Sequence, residues 1–387
     1  MKVVYLDNNA TTAIAPEVFE AMTPYLTAQY ANPSSQYSFA HSVREAVETS
    51  RESIATSLKI KSSELIFTGS GTESANLAIK GVAYAYRSRG NHIITSEIEH
   101  PCVLESCKAL EKEGFEVTYL PVNKEGEISI EALKSAITDK TILISIMFAN
   151  NEIGAIQPIK KIGDIAREHK ILFHVDAVQS VGKMPVFPKE LNVDLLGFAA
   201  HKFYGPKGIG GLYIRNGVRL EKYISGGHQE RNRRPGTESA ANVVGMAKAL
   251  ELCINTMVEE GEKERELRDY LETELTKRIP ECFINAKNSN RIPGTSSITF
   301  KYVEGESILL SLDMYGICVS SGSACSAGDL AASHVILGIG VPIEEAQGTI
   351  RFGVGKYNTR EDIDKVIEVM PKAIEKLRMM SPLYNVK

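Results

Sequence analysis

Short apolar runs alternate with helical stretches between residues 64 and 215. Val, Ile, Leu and Phe follow one another closely in the apolar runs, which is typical of strands buried on both faces. The predicted strands are 65–67, 92–96, 115–120, 141–147, 171–175, 194–198 and 209–214, and the predicted helices are 72–88, 101–113, 129–137 and 158–169. This alternation predicts a mostly parallel sheet covered by helices. Because such sheets bind ligands at the carboxyl ends of their strands, a site is expected there.

A different pattern begins near residue 238, where a long helix is predicted to about residue 278. The charged run 259–266 within it is typical of a solvated helix face. A smaller α+β unit follows Pro280, with strands near 295–301, 316–320 and 349–353 and helices near 305–314, 333–338 and 360–379. We therefore expect a large domain over 15–255 and a small domain formed by 1–14 and 256–387.

Length and composition agree with two globular domains. The chain has 387 residues, 43% of them hydrophobic and 24% charged, which exceeds the usual size of one core. A net charge of −4 gives no general reason to expect a nucleic-acid or membrane partner. No signal peptide or apolar run of ~20 residues is recognised. The six cysteines form no CxxC pair, so we expect no metal site, no disulfide scaffold and a reducing, cytoplasmic setting.

Lys202 is the strongest candidate for chemistry. It follows the predicted strand 194–198, stands beside His201 and precedes a Gly-Pro turn and the Gly-rich strand 209–214. A lysine held at a strand end suits a nucleophile that forms a Schiff base. The alternative for any single lysine is an ordinary surface side chain, so its partners decide.

Asp176 and Gln179 are the first of those partners. Asp176 ends the predicted strand 171–175, and a carboxylate there can pair with a protonated pyridine nitrogen and make pyridoxal phosphate an electron sink. Gln179 can hydrogen-bond the ring hydroxyl. Taken alone, Asp176 fits a helix cap equally well.

The segment 68–74, Thr-Gly-Ser-Gly-Thr-Glu-Ser, lies between a strand and a helix. Gly71 and Thr72 there can present backbone amides, a hydroxyl and the positive end of the helix dipole to a phosphate. The segment also fits a plain helix cap at Ser70 or Thr72. The segment supports the hypothesis for Lys202 because a phosphate-containing cofactor held by this lysine needs a phosphate-binding site.

Two more strand ends carry candidate groups. His100 can stack on a cofactor ring and act as acid or base, although a lone histidine is more often structural. Asn151 closes the next strand. Together with Asp176 and Lys202 they predict that four strand ends converge on one pyridoxal-phosphate site.

Cys325 and Arg351 carry the remaining chemistry. Small residues surround Cys325 in Ser-Gly-Ser-Ala-Cys-Ser-Ala-Gly, which predicts an exposed loop, whereas Cys318 in Gly-Ile-Cys-Val is typical of a core. A thiolate at Cys325 can take a substrate sulfur as a persulfide; the alternative is an exposed bystander thiol. Arg351 can hold an α-carboxylate with its guanidinium fork or form a strand-edge salt bridge.

At these residues the chain resembles, nearly end to end, the cysteine desulfurases of the NifS/IscS type among the class V aminotransferase-like pyridoxal-phosphate enzymes. The motifs are YLDNNATT at 5–12, NPSS at 32–35, GTES at 71–74, EH at 99–100, NNEIG at 150–154, DAVQ at 176–179, HK at 201–202, SGSAC at 321–325 and IRF at 350–352. The resemblance implies an aspartate-aminotransferase-like fold with a seven-stranded-type, mostly parallel sheet and a smaller α+β domain.

The resemblance also implies the roles of the site residues. L-cysteine would become L-alanine, with Lys202 and His100 catalytic and Cys325 carrying the sulfur to an iron–sulfur scaffold or thiolation partner. The implied cofactor contacts are Gly71, Thr72, His100, Asn151, Asp176, Gln179, Ala199, His201, Lys202 and Thr237. Asn151 and Arg351 would hold the substrate carboxylate, and Thr237 would reach the phosphate of the other subunit of a homodimer.

Four departures from the family pattern are visible. Ala199 stands where the family often has Ser, so one phosphate hydroxyl is missing, a loss of about 1 kcal/mol. Tyr37 and Ala40 replace a His and a Gly, His228 replaces a Gly, and the loop after Cys325 lacks the usual Glu-Pro before Ser-His. The last change bears on the choice of sulfur acceptor more than on catalysis.

The sequence leaves two other functions open. One is another reaction on the same cofactor, such as that of a selenocysteine lyase or a transaminase; a transaminase has no need of a thiol in a Gly/Ser loop. The other is a non-catalytic scaffold, which would not require Lys202, Asp176, His100, Cys325 and Arg351 together.

Overall fold

The predicted apolar runs form most of the strands of a computed structural model that describes residues 3–321 and 332–384. The strands are β1 Val4–Tyr5, β2 Leu65–Thr68, β3 His92–Ser96, β4 Glu116–Leu120, β5 Thr141–Met147, β6 Leu172–Asp176, β7 Leu195–Ala199, β8 Gly210–Ile214, β9 Cys282–Ile284, β10 Thr295–Phe300, β11 Ile317–Cys318, β12 Ser320–Ser321 and β13 Thr349–Gly353. Of these, β1 and β9 were not predicted.

The helices fill most of the segments between these strands. They are α1 Pro16–Thr27, α2 His41–Ser57, α3 Gly71–Tyr86, α4 Pro101–Glu111, α5 Ile130–Ala136, α6 Ile159–Glu168, α7 Gln229–Asn232, α8 Ala240–Arg278, α9 Gly305–Asp313, α10 His334–Gly338, α11 Ile343–Ala346 and α12 Arg360–Met380. Within the two described ranges, no helix combines the length and the apolar character that crossing a bilayer requires.

Seven of the described strands form one sheet in the order β2-β8-β7-β6-β5-β3-β4. Neighbours from β7 to β4 are parallel, and β8 is antiparallel to both β7 and β2. The reversal follows from the short connection between β7 and β8, because parallel neighbours need a longer crossover. The mostly parallel α/β sheet expected from the sequence is confirmed.

Alternate residues of the central strands enter two different cores. Ile94 and Leu196 pack on one face with α1 and α6, while Ile93 and Leu195 pack on the other face with α3 and α4. Both faces are therefore buried, which explains why these strands are continuous apolar runs in the sequence. The carboxyl ends of β3, β5, β6 and β7 meet at one edge.

A second unit contains the sheet β12-β13-β10-β9 and the separate parallel pair β1-β11. Its core joins Leu271 of α8 with Phe300 and Phe352, and Leu6 reaches it from the start of the chain. The strand predicted at 316–320 is divided into β11 and β12, which belong to different sheets. We propose that the division into 15–255 and 1–14 with 256–387 describes the domains, since the main core ends at Cys253 and the second core resumes at Leu267 along α8.

A buried ion pair fixes the segment around α7. Glu230 adopts a positive φ of 47° and is 5% exposed, and its carboxylate accepts two hydrogen bonds from Arg51, at 2.7 and 2.8 Å, and one from the Phe67 amide at 2.8 Å. Replacing Arg51 by Met should lower the free energy of unfolding by about 3 kcal/mol, because the carboxylate would stay buried without its cation.

Denaturant unfolding checks this result. The matched control is Lys372→Met, which removes an exposed pair with Glu368 and should cost below about 0.5 kcal/mol. An equal loss in both variants would contradict the role given to the buried pair.

Candidate active site

The strand ends enclose a cavity of about 260 Å³ at the carboxyl edge of the large sheet. Ten of the predicted site residues line it: Gly71, Thr72, His100, Asn151, Asp176, Gln179, Ala199, His201, Lys202 and Arg351. The convergence arises from topology, because parallel strands deliver their C-terminal residues to the same edge.

Lys202 ends a 3₁₀ turn, Ala200–Lys202, directly after β7. Its Nζ donates to the carbonyl oxygens of Asn9 at 2.6 Å and Ala10 at 2.8 Å. The N-terminal segment therefore forms part of the wall of the site. The residue types in that segment did not predict this contact. The only sequence signal was the motif YLDNNATT, because backbone carbonyls have no side-chain signature.

Asp176 is the last residue of β6 and is 8% exposed. Burial raises the pKa of its carboxyl group, and His100, the Val178 amide and Lys202 oppose that rise. The Val178 N–H donates to Oδ1 at 3.0 Å, so the carboxylate is tied to the local turn rather than to a helix N-terminus. This hydrogen bond fixes the orientation of the buried Asp176 carboxylate, which is an acceptor that lines the cavity.

His100 is the N-cap residue of α4. Its Nδ1 accepts a hydrogen bond from the Cys102 amide at 3.2 Å, so a neutral ring carries its proton on Nε2. Burial lowers the pKa of the imidazole, while Asp176 raises it. The structural role and the chemical role considered for this histidine are compatible, because capping uses one ring nitrogen and leaves Nε2–H as a donor.

Glu99 is a buried acid that the sequence reasoning did not single out beyond the Glu-His motif. Its Oε1 accepts from Ser96 Oγ at 2.7 Å and from the Met147 amide at 2.9 Å. Burial raises its pKa to about 8. At neutral pH the carboxyl group is therefore mostly protonated and adds little negative charge beside Asp176.

The N-terminus of α3 supplies the candidate phosphate site. Ser70 caps the helix by accepting from the Glu73 amide at 3.1 Å. A Cβ on Gly71 would lie 2.7 Å from Val178 Cγ2, so only glycine permits this close approach of the backbone. The first turn of a helix offers free N–H groups and positive potential to an anion, and the role of Gly71 and Thr72 in binding a phosphate stays a prediction.

Two residues with predicted phosphate roles lie on the β7 side of the cavity. Ala199 contributes a methyl group in place of a hydroxyl. His201 Nδ1 lies 3.1 Å from Thr11 Oγ1, and burial, aided by nearby lysines, lowers its pKa to about 4. His201 is therefore neutral at physiological pH and would contribute hydrogen bonding rather than charge.

Arg351 faces the cavity from β13. Its Nη2 donates to Asp7 Oδ1 at 2.8 Å, so the salt bridge expected as the alternative to carboxylate binding is present. Its Nη1 donates to the Asn151 carbonyl oxygen at 3.2 Å. Its Nε is buried without a hydrogen-bond partner among the described residues. A buried donor without a partner costs about 1–3 kcal/mol unless a ligand accepts from it.

Cys325 lies outside the described residues, in the segment 322–331. Described residues on both sides of that segment contact Arg351, which lines the cavity, or residues adjacent in sequence to the cavity-lining His100 and Asn151. Ser320 pairs with Arg351 across β12 and β13, and Ser333 Oγ donates to Glu152 Oε2 at 2.5 Å. His334 Nε2 lies 2.9 Å from the Glu99 carbonyl oxygen.

Thr237 is exposed and, within the described residues, is not part of this cavity lining. Its segment nevertheless lies beside the start of α3, because Arg234 Nε donates to Glu73 Oε1 at 2.7 Å. The single chain leaves the predicted contact with a second subunit untested.

The residues present fit pyridoxal phosphate. The cavity combines a strand-end lysine, a buried carboxylate, a histidine donor and a helix N-terminus, which match the cofactor's aldehyde, pyridine nitrogen, ring and phosphate. This fold and this site define a class, the pyridoxal-phosphate enzymes built on a mostly parallel α/β sheet.

Comparison with known proteins identifies the family. The family model described as Aminotransferase class-V matches residues 4–366, and the chain belongs to that family. A cysteine desulfurase IscS from Dictyoglomus turgidum is 54% identical over 379 residues, covering 98% of this chain and 96% of the relative.

Solved structures give the same result. A NifS-like protein superposes with a TM-score of 0.90 at 37% identity, covering 98% of this chain and 100% of that one. The protein SspA in complex with cysteine superposes with a TM-score of 0.82 at 36% identity, covering 92% and 99%.

Proposed function

We infer that the protein is a pyridoxal-phosphate-dependent cysteine desulfurase that converts L-cysteine to L-alanine. The observation that carries this conclusion is the position of Arg351 in the same cavity as Lys202, with a buried guanidinium N–H that has no hydrogen-bond partner within 3–321 and 332–384. An amino acid whose α-carboxylate accepts from Arg351 would place its reacting carbons beside the lysine. The relatives named above support cysteine as that amino acid.

Pyridoxal phosphate, when bound, supplies an electron sink for negative charge that develops on the substrate. We propose that Lys202 holds it and that the Lys202 amine then moves the proton at the substrate Cα. Asp176 would accept from the protonated ring nitrogen, Gln179 would donate to the ring oxygen, and the start of α3 would bind the phosphate.

His100 and Cys325 are proposed to complete the reaction. The His100 Nε2–H can donate to a substrate oxygen or sulfur, since Nδ1 is occupied by the Cys102 amide. Cys325 would attack the substrate sulfur: an S–S bond forms as the C–S bond breaks, and the former Cβ–S carbon gains a proton. Carbon is reduced as sulfur is oxidised, so alanine and an enzyme persulfide account for all atoms and electrons.

The assay for this function uses the cofactor-loaded protein with L-cysteine. We expect alanine to appear together with sulfide when a thiol reductant is present. Alanine formation from L-selenocysteine under the same conditions would measure the preference between the two substrates. Consumption of a 2-oxo acid in place of sulfide release would indicate transamination and would overturn the proposal.

The partners follow from the persulfide. A desulfurase requires a sulfur acceptor, and we propose an iron–sulfur scaffold or a thiolation protein in a reducing, cytoplasmic setting. The free thiols of the five described cysteines support that setting. A homodimer in which Thr237 reaches the partner's phosphate site is also proposed, supported by the exposure of Thr237 and the contact of its segment with α3.

Replacing Arg351 by Lys should raise the KM for L-cysteine by about 10- to 100-fold. Lysine keeps the charge but loses the planar fork that holds a carboxylate by two hydrogen bonds. Steady-state alanine formation gives KM and kcat separately, and kcat should change less than KM. Arg360→Lys, at an exposed position on α12, is the control. An unchanged KM in the Arg351 variant would remove Arg351 from substrate binding.

A further inference from the structure

Lys183 lies behind Gln179, on the side of that residue away from the cofactor cavity. Its Nζ donates to Gln179 Oε1 at 3.0 Å. Gln179 lines the cavity and is 4% exposed, whereas Lys183 lines a separate cavity of about 30 Å³. The Gln179 amide therefore separates the proposed active site from a half-buried lysine that the mechanism above does not use.

Two contacts fix the orientation of the Gln179 amide. A lysine ammonium group can only donate, so the amide oxygen must face Lys183. The backbone carbonyl of Asn9 can only accept, and it receives the Gln179 Nε2–H at 2.9 Å. Both contacts require the same orientation. Because an NH₂ group has two hydrogens, one N–H remains available as a donor in a residue that lines the cavity.

We propose that Lys183 is a positioning residue for the reaction: it holds Gln179 so that the amide presents a donor to the negatively charged ring oxygen of the cofactor. This inference rests on the proposed function. The positive charge also polarises the amide and strengthens its N–H as a donor. A neutral lysine could accept as well as donate and would no longer exclude the flipped amide, whose oxygen would repel the ring oxygen.

The surroundings of Lys183 control its charge. Burial lowers the pKa of Lys183 to about 8, opposed chiefly by the carboxylate of Glu264 on α8. The charged and titratable groups that interact with Lys183 or line the same small cavity are Glu264, Glu260 and Cys253 of α8, His201 and Tyr204 after β7, Lys356 after β13 and Arg351 of β13. As pH rises through about 8, Lys183 loses its proton and the constraint on Gln179 weakens.

The experiment compares cofactor-loaded wild type with Lys183→Met, Lys183→Arg and, as a control, Lys372→Met. The visible band of the bound cofactor is titrated with pH, and kcat and KM for alanine formation are measured. We expect Lys183→Met to raise the apparent pKa of the band and lower kcat roughly tenfold, the cost of one charge-assisted hydrogen bond, with a smaller change in KM. Lys183→Arg, which stays charged, should restore kcat and move any alkaline fall to higher pH. Lys372→Met, at an exposed position on α12, should match wild type.

A double-mutant cycle separates positioning from general stabilisation. In a Gln179→Ala background, Lys183→Met should have no further effect on kcat or on the band, because its influence passes through Gln179. An undiminished effect there, or a Lys183→Met enzyme with wild-type kcat and titration, would overturn the proposal. If Lys183→Met fails to fold, Lys183→Gln takes its place with the same expectations. The band titration needs no cysteine, so it tests Lys183 even if wild type releases no alanine and the desulfurase proposal fails.

Discussion

Replacing Lys202 by Ala is expected to abolish the visible absorbance of the bound cofactor and to lower alanine formation by about 10³-fold or more. Two functions would be lost together: the covalent hold on the cofactor and the amine that moves the proton at the substrate Cα. Both losses are expected because Lys202 lines the cofactor cavity together with Asp176. Absorbance spectra and alanine release on the cofactor-supplemented protein measure both effects.

Lys207→Ala is the matched control for this experiment. Lys207 lies in the same turn between β7 and β8 but is exposed, so its removal should change the rate by no more than about twofold. Thermal unfolding of both variants separates loss of chemistry from loss of fold, since Lys202 also holds the carbonyls of Asn9 and Ala10. A Lys202→Ala protein that keeps the band and the rate would remove this lysine from the mechanism.

The large sheet could be predicted because burial on both faces leaves a continuous apolar pattern. β5 is an example: all of its residues are buried, and its bounds match the predicted strand 141–147. The position of the site then follows from parallel topology, which sends Asp176 and Lys202 to one edge without any knowledge of their contacts. The chemical types of the residues at that edge indicated the cofactor.

Contacts that depend on backbone atoms or on distant pairing could not be predicted. The carbonyl oxygens of Asn9 and Ala10 bind Lys202 across nearly two hundred residues of chain, and no side chain records that contact. The division of the strand at 316–320 is similar, because β11 pairs with β1 while β12 pairs with β13. An alternating pattern gives the direction of side chains but not the identity of a partner strand.

The buried acids were missed for a related reason. Glu99 and Glu152 appear in the sequence as ordinary charged residues, and their raised pKa values, about 8 and about 7, arise from burial that only the folded chain creates. Both accept hydrogen bonds from hydroxyl groups. Their motifs, Glu-His and Asn-Asn-Glu, indicate the position of the site, because His100 and Asn151 line the cavity, but they do not reveal the protonation state of the two acids.

Replacing Cys325 by Ser is expected to lower sulfur release from L-cysteine by about 10³-fold while the cofactor band stays unchanged. Serine keeps the size of the side chain but loses the thiolate, which is the attacking form. The described cysteines are poor substitutes, because burial raises the pKa of each: Cys102, Cys107, Cys253, Cys282 and Cys318. Cys325 is the remaining thiol, and the residues flanking its segment contact Glu152 and the Glu99 carbonyl, next in sequence to the cavity-lining residues Asn151 and His100.

Alkylation followed by mass spectrometry would locate the added sulfur after a single turnover. We expect it on Cys325 in wild type and on no cysteine in Cys325→Ser. Cys318→Ser is the matched control, since Cys318 lies in β11, a few residues before the same segment, and its replacement should leave both the rate and the labelled position unchanged. Added sulfur on Cys102, which lines the cavity beside His100, would instead assign the nucleophile to that residue and refute the role of Cys325.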